Sequence, residues 1–107
     1  NSNLLNKLLW DILLNNISEY DTIEIIINRF NSQPEEMKLH IIRNSINILD
    51  EKLAMFYKNI IYEQPLMVKL EILKYLFKNY FDMVLEFMDS PDEDIKIAYK
   101  EVICMYN

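Results

Sequence analysis

The sequence predicts an all-α protein of about seven helices stacked as antiparallel pairs, on three observations. Its 107 residues contain no glycine, its apolar residues recur at helical spacing, and each of its three prolines stands just ahead of an amphipathic segment. Tight two-residue hairpins favour glycine, so its absence argues against a hairpin-rich β protein. The runs Ile25-Ile26-Ile27, Ile41-Ile42 and Ile60-Ile61 favour strand by local propensity, but they fall within longer patterns of helical period. With 51% hydrophobic and 26% charged residues the chain can bury a core, and its length suits one domain rather than two.

The elements follow in order. Leu4, Leu5, Leu8, Leu9, Ile12 and Leu13 recur as one face of an amphipathic helix that closes at Asn15-Asn16. Trp10 and Leu14 project toward another face, where Trp10 would bury against a neighbouring unit missing from this sequence. Ser18 or Asp21 caps the next helix, whose stripe is Ile23, Ile26, Ile27 and Phe30, ending at Asn31-Ser32. Asp50 caps a helix carrying Leu53, Phe56, Tyr57, Ile60 and Ile61, and a shorter helix runs from Phe81 to Met88 before Asp89-Ser90. The last three are the first members of successive pairs, and Leu4 to Leu14 reads as the second helix of an incomplete preceding unit.

The prolines open the second members. Pro34 and Pro65 are 31 residues apart (65 − 34), and Pro65 and Pro91 are 26 apart (91 − 65), a spacing typical of stacked repeats. Met37-Lys38-Leu39, Val68-Lys69-Leu70 and Ile95-Lys96-Ile97 follow at matching offsets, with one extra residue in the third case. Residues 1–107 therefore form one domain: an N-terminal helix over 1–16 and units at 18–48, 49–79 and 80–107. The start at Asn1 rather than Met predicts that the chain is part of a longer one.

This pattern resembles HEAT repeats, of the armadillo-like class, whose second helix typically opens with an acidic or proline turn followed by an aliphatic residue and a Lys or Arg. The clearest copy is FDMVLEFMDSPDEDIKIAYKEVI, from Phe81 to Ile103, and the resemblance extends over Thr22 to Ile103. It implies a right-handed α-α superhelix acting as a protein interaction or scaffold module. The small Ala and Gly residues common in the family's second helices are here Ile, Leu and Tyr.

Composition excludes several function classes. Phosphate loops, dinucleotide fingerprints, nucleophile elbows and EF-hand loops all need glycine and cannot exist here in standard form. A net charge of -6 opposes binding to a phosphate backbone, so nucleic acid is not an expected partner. A single cysteine, Cys104, forbids an internal disulfide and Cys-rich zinc sites, and fits a reducing, cytoplasmic compartment. No apolar run approaches the ~20 residues of a membrane span, so direct membrane insertion of this segment is not expected.

No catalytic, cofactor-binding or metal site emerges. His40 and Cys104 would lie at opposite ends of the stack, too far apart for a Cys-His pair. Glu35-Glu36, Asp50-Glu51 and Asp92-Glu93-Asp94 fall in first turns, where negative charge complements the helix dipole. The aromatics Tyr57, Tyr62, Tyr75, Phe77, Tyr80, Phe81, Phe87 and Tyr99 recur at packing spacing.

The remaining signal is Lys38, Lys69 and Lys96. They would form either a hydrogen-bond ladder to turn acceptors such as Glu63 and Asp89, or a basic strip along a concave face that captures an acidic helix or peptide. The expected partner contacts are these lysines with His40, Arg43, Glu71, Lys74 and Tyr75. The expected function is a non-enzymatic protein interaction or scaffold module, with another protein or peptide as partner. The alternatives are a soluble regulatory segment of a larger, even membrane-attached, bacterial protein, and a HEAT-like enzyme such as a DNA glycosylase, for which a strongly cationic cleft is missing.

Overall fold

A computed structural model of the chain describes residues 2–16 and 19–106, and within them it is all-α, without a strand. Seven α-helices follow one another: α1 (Ser2–Asn16), α2 (Glu19–Arg29), α3 (Glu35–Asn44), α4 (Glu51–Ile60), α5 (Leu66–Asn79), α6 (Phe81–Leu85) and α7 (Glu93–Met105). Short 3-10 turns at Phe30–Ser32 and Ile61–Glu63 extend α2 and α4. Helix α1 packs on α3, α3 on α5 and α5 on α7, so the second helices form one row, while α2 packs on α4 in the other.

Two of the expected caps, Asp50 and Asp21, lie within the described residues. Asp50 caps α4 through its side chain, Oδ1 accepting from the Leu53 amide at 2.9 Å. Asp21 lies inside α2, which begins two residues earlier, and Ser18 lies outside the described residues. Helix α6 is shorter than the pattern predicts, ending at Leu85 rather than Met88.

The prolines sit one step earlier than the first helical position. Pro34 and Pro65 are themselves the cap residues of α3 and α5, at φ -66 with ψ 162 and φ -64 with ψ 160. The ring holds φ where an extended cap needs it, and the proline lacks only an amide that the helix does not use. In the third unit Asp92 takes over the cap and Pro91 moves outside it. That is the extra residue. Counted from the cap, the register is the same three times: the amides of Lys38, Lys69 and Lys96 donate to the carbonyls of Pro34, Pro65 and Asp92, each at 3.0 Å.

The core runs between the two rows. Phe30, Tyr57 and Tyr75 are fully buried and meet edge to face, with ring centroids 5.8 Å and 5.0 Å apart, an arrangement that aromatic quadrupoles favour. The two tyrosine hydroxyls are spent internally: Tyr57 shares a 2.8 Å hydrogen bond with Ser45 Oγ, and Tyr75 donates to the Ile48 carbonyl at 2.5 Å. Burial pushes both phenols well above the usual tyrosine range, so they stay neutral. Among the described residues no buried side-chain polar atom is left without a partner.

Helix α1 reverses the expected orientation. Trp10 is 3% exposed and belongs to the core, while Leu4, Leu5, Leu8, Leu9 and Ile12, the expected core stripe, are each at least half exposed. The helix is apolar on two sides, and periodicity locates faces without saying which turns inward. Hydrogen bonding chooses: Trp10 Nε1 donates to Gln33 Oε1 at 3.3 Å, an arrangement no leucine can make.

Candidate partner-binding face

The row of second helices carries a ladder of side-chain hydrogen bonds from each helix to the turn of the following unit. Asn6 and Trp10 on α1 donate to Gln33 Oε1, Lys38 on α3 donates to Gln64 Oε1 at 3.0 Å, and Lys69 on α5 reaches both Asp92 carboxylate oxygens at 3.3 Å. Gln33 and Gln64 are equivalent parts. Each stands directly before a proline, and each turns its amide back on the carbonyl four residues earlier, Arg29 and Ile60, at 3.2 Å. That second bond aims the side-chain oxygen at the incoming donor.

The acceptors are therefore Gln64 and Asp92, in place of Glu63 and Asp89. Glu63 faces solvent, whereas Gln64 is 6% exposed at the end of its turn. Lys38 also lies over the Phe30 ring, 5.7 Å from its centroid. Lys96 differs from the other two, pairing with Glu93 in its own first turn at 3.3 Å and remaining exposed. Lys69 is 4% exposed and presents no charge to a partner.

Farther along the same helices a second set of polar contacts ties the row together. His40 Nε2 and Asp11 Oδ1 join α3 to α1 at 2.5 Å, and Asn44 Nδ2 approaches the His40 ring from the next turn. Arg43 and Lys74 converge on Glu71 Oε1 at 3.3 Å and 3.2 Å, joining α3 to α5. Glu71 is buried because its two cations cover it, and Tyr75 is wholly in the core because α5 is enclosed by its neighbours. In the other row Lys52 pairs with Glu24, and Lys58 with Glu86 at 2.7 Å. These two pairs and Arg43–Glu71 each span 28 residues, as expected when equivalent positions of successive units meet.

Of the residues singled out from sequence, His40, Arg43 and Lys74 keep accessible side-chain surface beside one another, and Arg43 keeps the most, at 54%. Lys69, Glu71 and Tyr75 are interior. Between α1 and α3 the surface opens into a cleft of about 540 Å³ lined by Lys7, Glu36, Met37, Leu39, His40 and Arg43 among others. Sequence reasoning missed Asp11, Gln33, Gln64 and the contribution of Lys7. The repeated Gln-Pro pair was the signal that could have found the two glutamines. No group of three or more His, Cys, Asp or Glu side chains among the described residues is placed to hold a metal ion, and no described helix is long and apolar enough to cross a membrane.

Asp92 has two tasks, capping α7 and holding Lys69, and its charge strengthens both. The Ile95 amide, and then Lys69, hold its carboxyl below the usual carboxylate range. A depressed folded-state pKa gives stability that is complete above the unfolded value, ~3.9, and is lost as pH falls through the folded value. Asp92→Asn should lower the melting temperature at pH 7 but converge on the unsubstituted protein in strong acid. Melting curves offset equally from pH 7 to pH 2 would show that the charge has no such role.

The fold and this face define an all-α chain of stacked helices, cross-linked by side chains from unit to unit. Compared with known protein families, curated proteins and solved structures, the chain matches none.

Proposed function

We propose that this chain is a protein interaction or scaffold module of HEAT-repeat type, acting by binding rather than catalysis. On this reading its partner is a protein or peptide segment that places an acidic group against Arg43, beside His40, and an apolar side chain over Met37 and Leu39. The observation that supports it is the division of labour along α3: Lys38 is engaged in the ladder, while His40 and Arg43 rim the cleft beside α1. A recessed apolar floor with a few charged groups at its edge is the usual form of a peptide-binding groove. Lys38, Lys69 and Lys96 are not needed as a binding strip in this reading.

The test is fluorescence anisotropy with a labelled amphipathic peptide bearing glutamates beside leucines at helical spacing. Binding should weaken as salt rises, and Arg43→Ala should weaken it roughly fivefold to tenfold. Because Lys74 still neutralises Glu71, the melting transition should move by less than about 1 kcal/mol equivalent. Equal binding by the two proteins would remove the cleft from consideration.

A further inference from the structure

Leu4, Leu5, Leu8, Leu9 and Ile12 form a continuous apolar stripe on the side of α1 turned away from Trp10, with exposures from 50% at Leu8 to 59% at Leu5. At about 100° per residue the stripe covers roughly 140° of the helix, the width normally given to a core-facing side. Helix α5 shows what such a helix looks like when enclosed: its Val68, Leu70, Ile72, Leu73 and Leu76 are all buried, because α3 and α7 flank it.

The geometry points to a second copy of this chain as the occupant, with the two α1 helices packed antiparallel about a twofold axis near Leu8 and Leu9. Two features favour a copy over another partner. Lys7 and Asp11 are the only charged residues of α1, and they lie four apart on the same edge of the stripe. Antiparallel pairing brings like edges together, so Lys7 of each copy meets the Asp11 carboxylate of the other, which holds His40 through Oδ1 and stays 39% exposed, twice per dimer. Helix α1 also carries no net charge, whereas the chain carries -6, so other surfaces repel one another and this one does not.

The area sets the strength. A Leu or Ile side chain offers roughly 60–120 Å² of apolar surface, so ten half-exposed side chains bury roughly 300–600 Å² between them. Stable interfaces bury about 1,200–2,000 Å², which makes this a weak, reversible dimer with a dissociation constant on the order of 10–1,000 µM.

Sedimentation velocity of the chain from about 5 µM to about 1 mM should show a concentration-dependent shift from monomer toward dimer across that range. Leu8→Glu should weaken association at least about tenfold with an unchanged circular dichroism spectrum, because Leu8 is on the surface. Lys7→Glu, which sets like charges opposite one another, should weaken it severalfold, and more so at low salt. A monomer throughout the range would overturn the proposal. So would a dimer that both variants leave intact, which would locate the contact elsewhere, or growth beyond a dimer, which a closed twofold contact forbids.

Discussion

Lys69→Glu should destabilise the fold by about 2–4 kcal/mol in denaturant titration, because it reverses a buried charge, with solvent at the 28% exposed Asp92 side chain screening part of the loss. The ammonium is enclosed between α5 and the start of α7, with Asp92 at 3.3 Å and Asp94 at 3.9 Å. A carboxylate there would face two others and leave nothing to answer the Asp92 charge, which also caps α7. Lys96→Glu is the control, since its pair with Glu93 is exposed and should shift stability by less than about 1 kcal/mol. Equal, small effects at both positions would mean that the ladder is not structural. The difference between them follows from burial, which the shared Lys pattern does not encode.

Trp10→Ala should cost about 3–5 kcal/mol as a core truncation, with one limit: the loss cannot exceed the energy that docks α1. Beyond that limit α1 separates while the remainder stays folded. Amide hydrogen exchange should then show α1 losing protection while α5 retains it. In the unsubstituted protein Trp10 is the only tryptophan, so its fluorescence reports directly on the docked helix and should resist quenching by acrylamide. Quenching as fast as that of a free indole, or full protection of α1 in the variant, would contradict the inward placement of Trp10.

Both predictions concern residues whose pattern was legible but whose surroundings were not. The proline spacing aligned Lys38, Lys69 and Lys96, and each lies four residues after the cap of its helix, its amide donating to Pro34, Pro65 or Asp92. The same alignment could not distinguish Lys69, enclosed beneath the next unit, from Lys96, which remains exposed. Tyr75 and Glu71 read as surface because α5 has polar residues on every side. They are buried because α3 and α7 flank the helix and Arg43 and Lys74 cover the carboxylate.

By itself the sequence determined the all-α class, the division into about seven helices and the cap at Asp50, because these depend on local backbone and side-chain geometry. Glycine's absence and proline's restricted φ act within a few residues, wherever those residues lie in space. Only the tertiary structure decided which side of α1 turns inward, which acceptors complete the ladder and which of three equivalent lysines is buried. Those outcomes depend on contacts between residues 23 to 29 positions apart, such as Trp10 with Gln33, Lys69 with Asp92 and Asp11 with His40. Where a helix is apolar on two sides, local pattern is satisfied by either orientation, and the unit it packs against selects one.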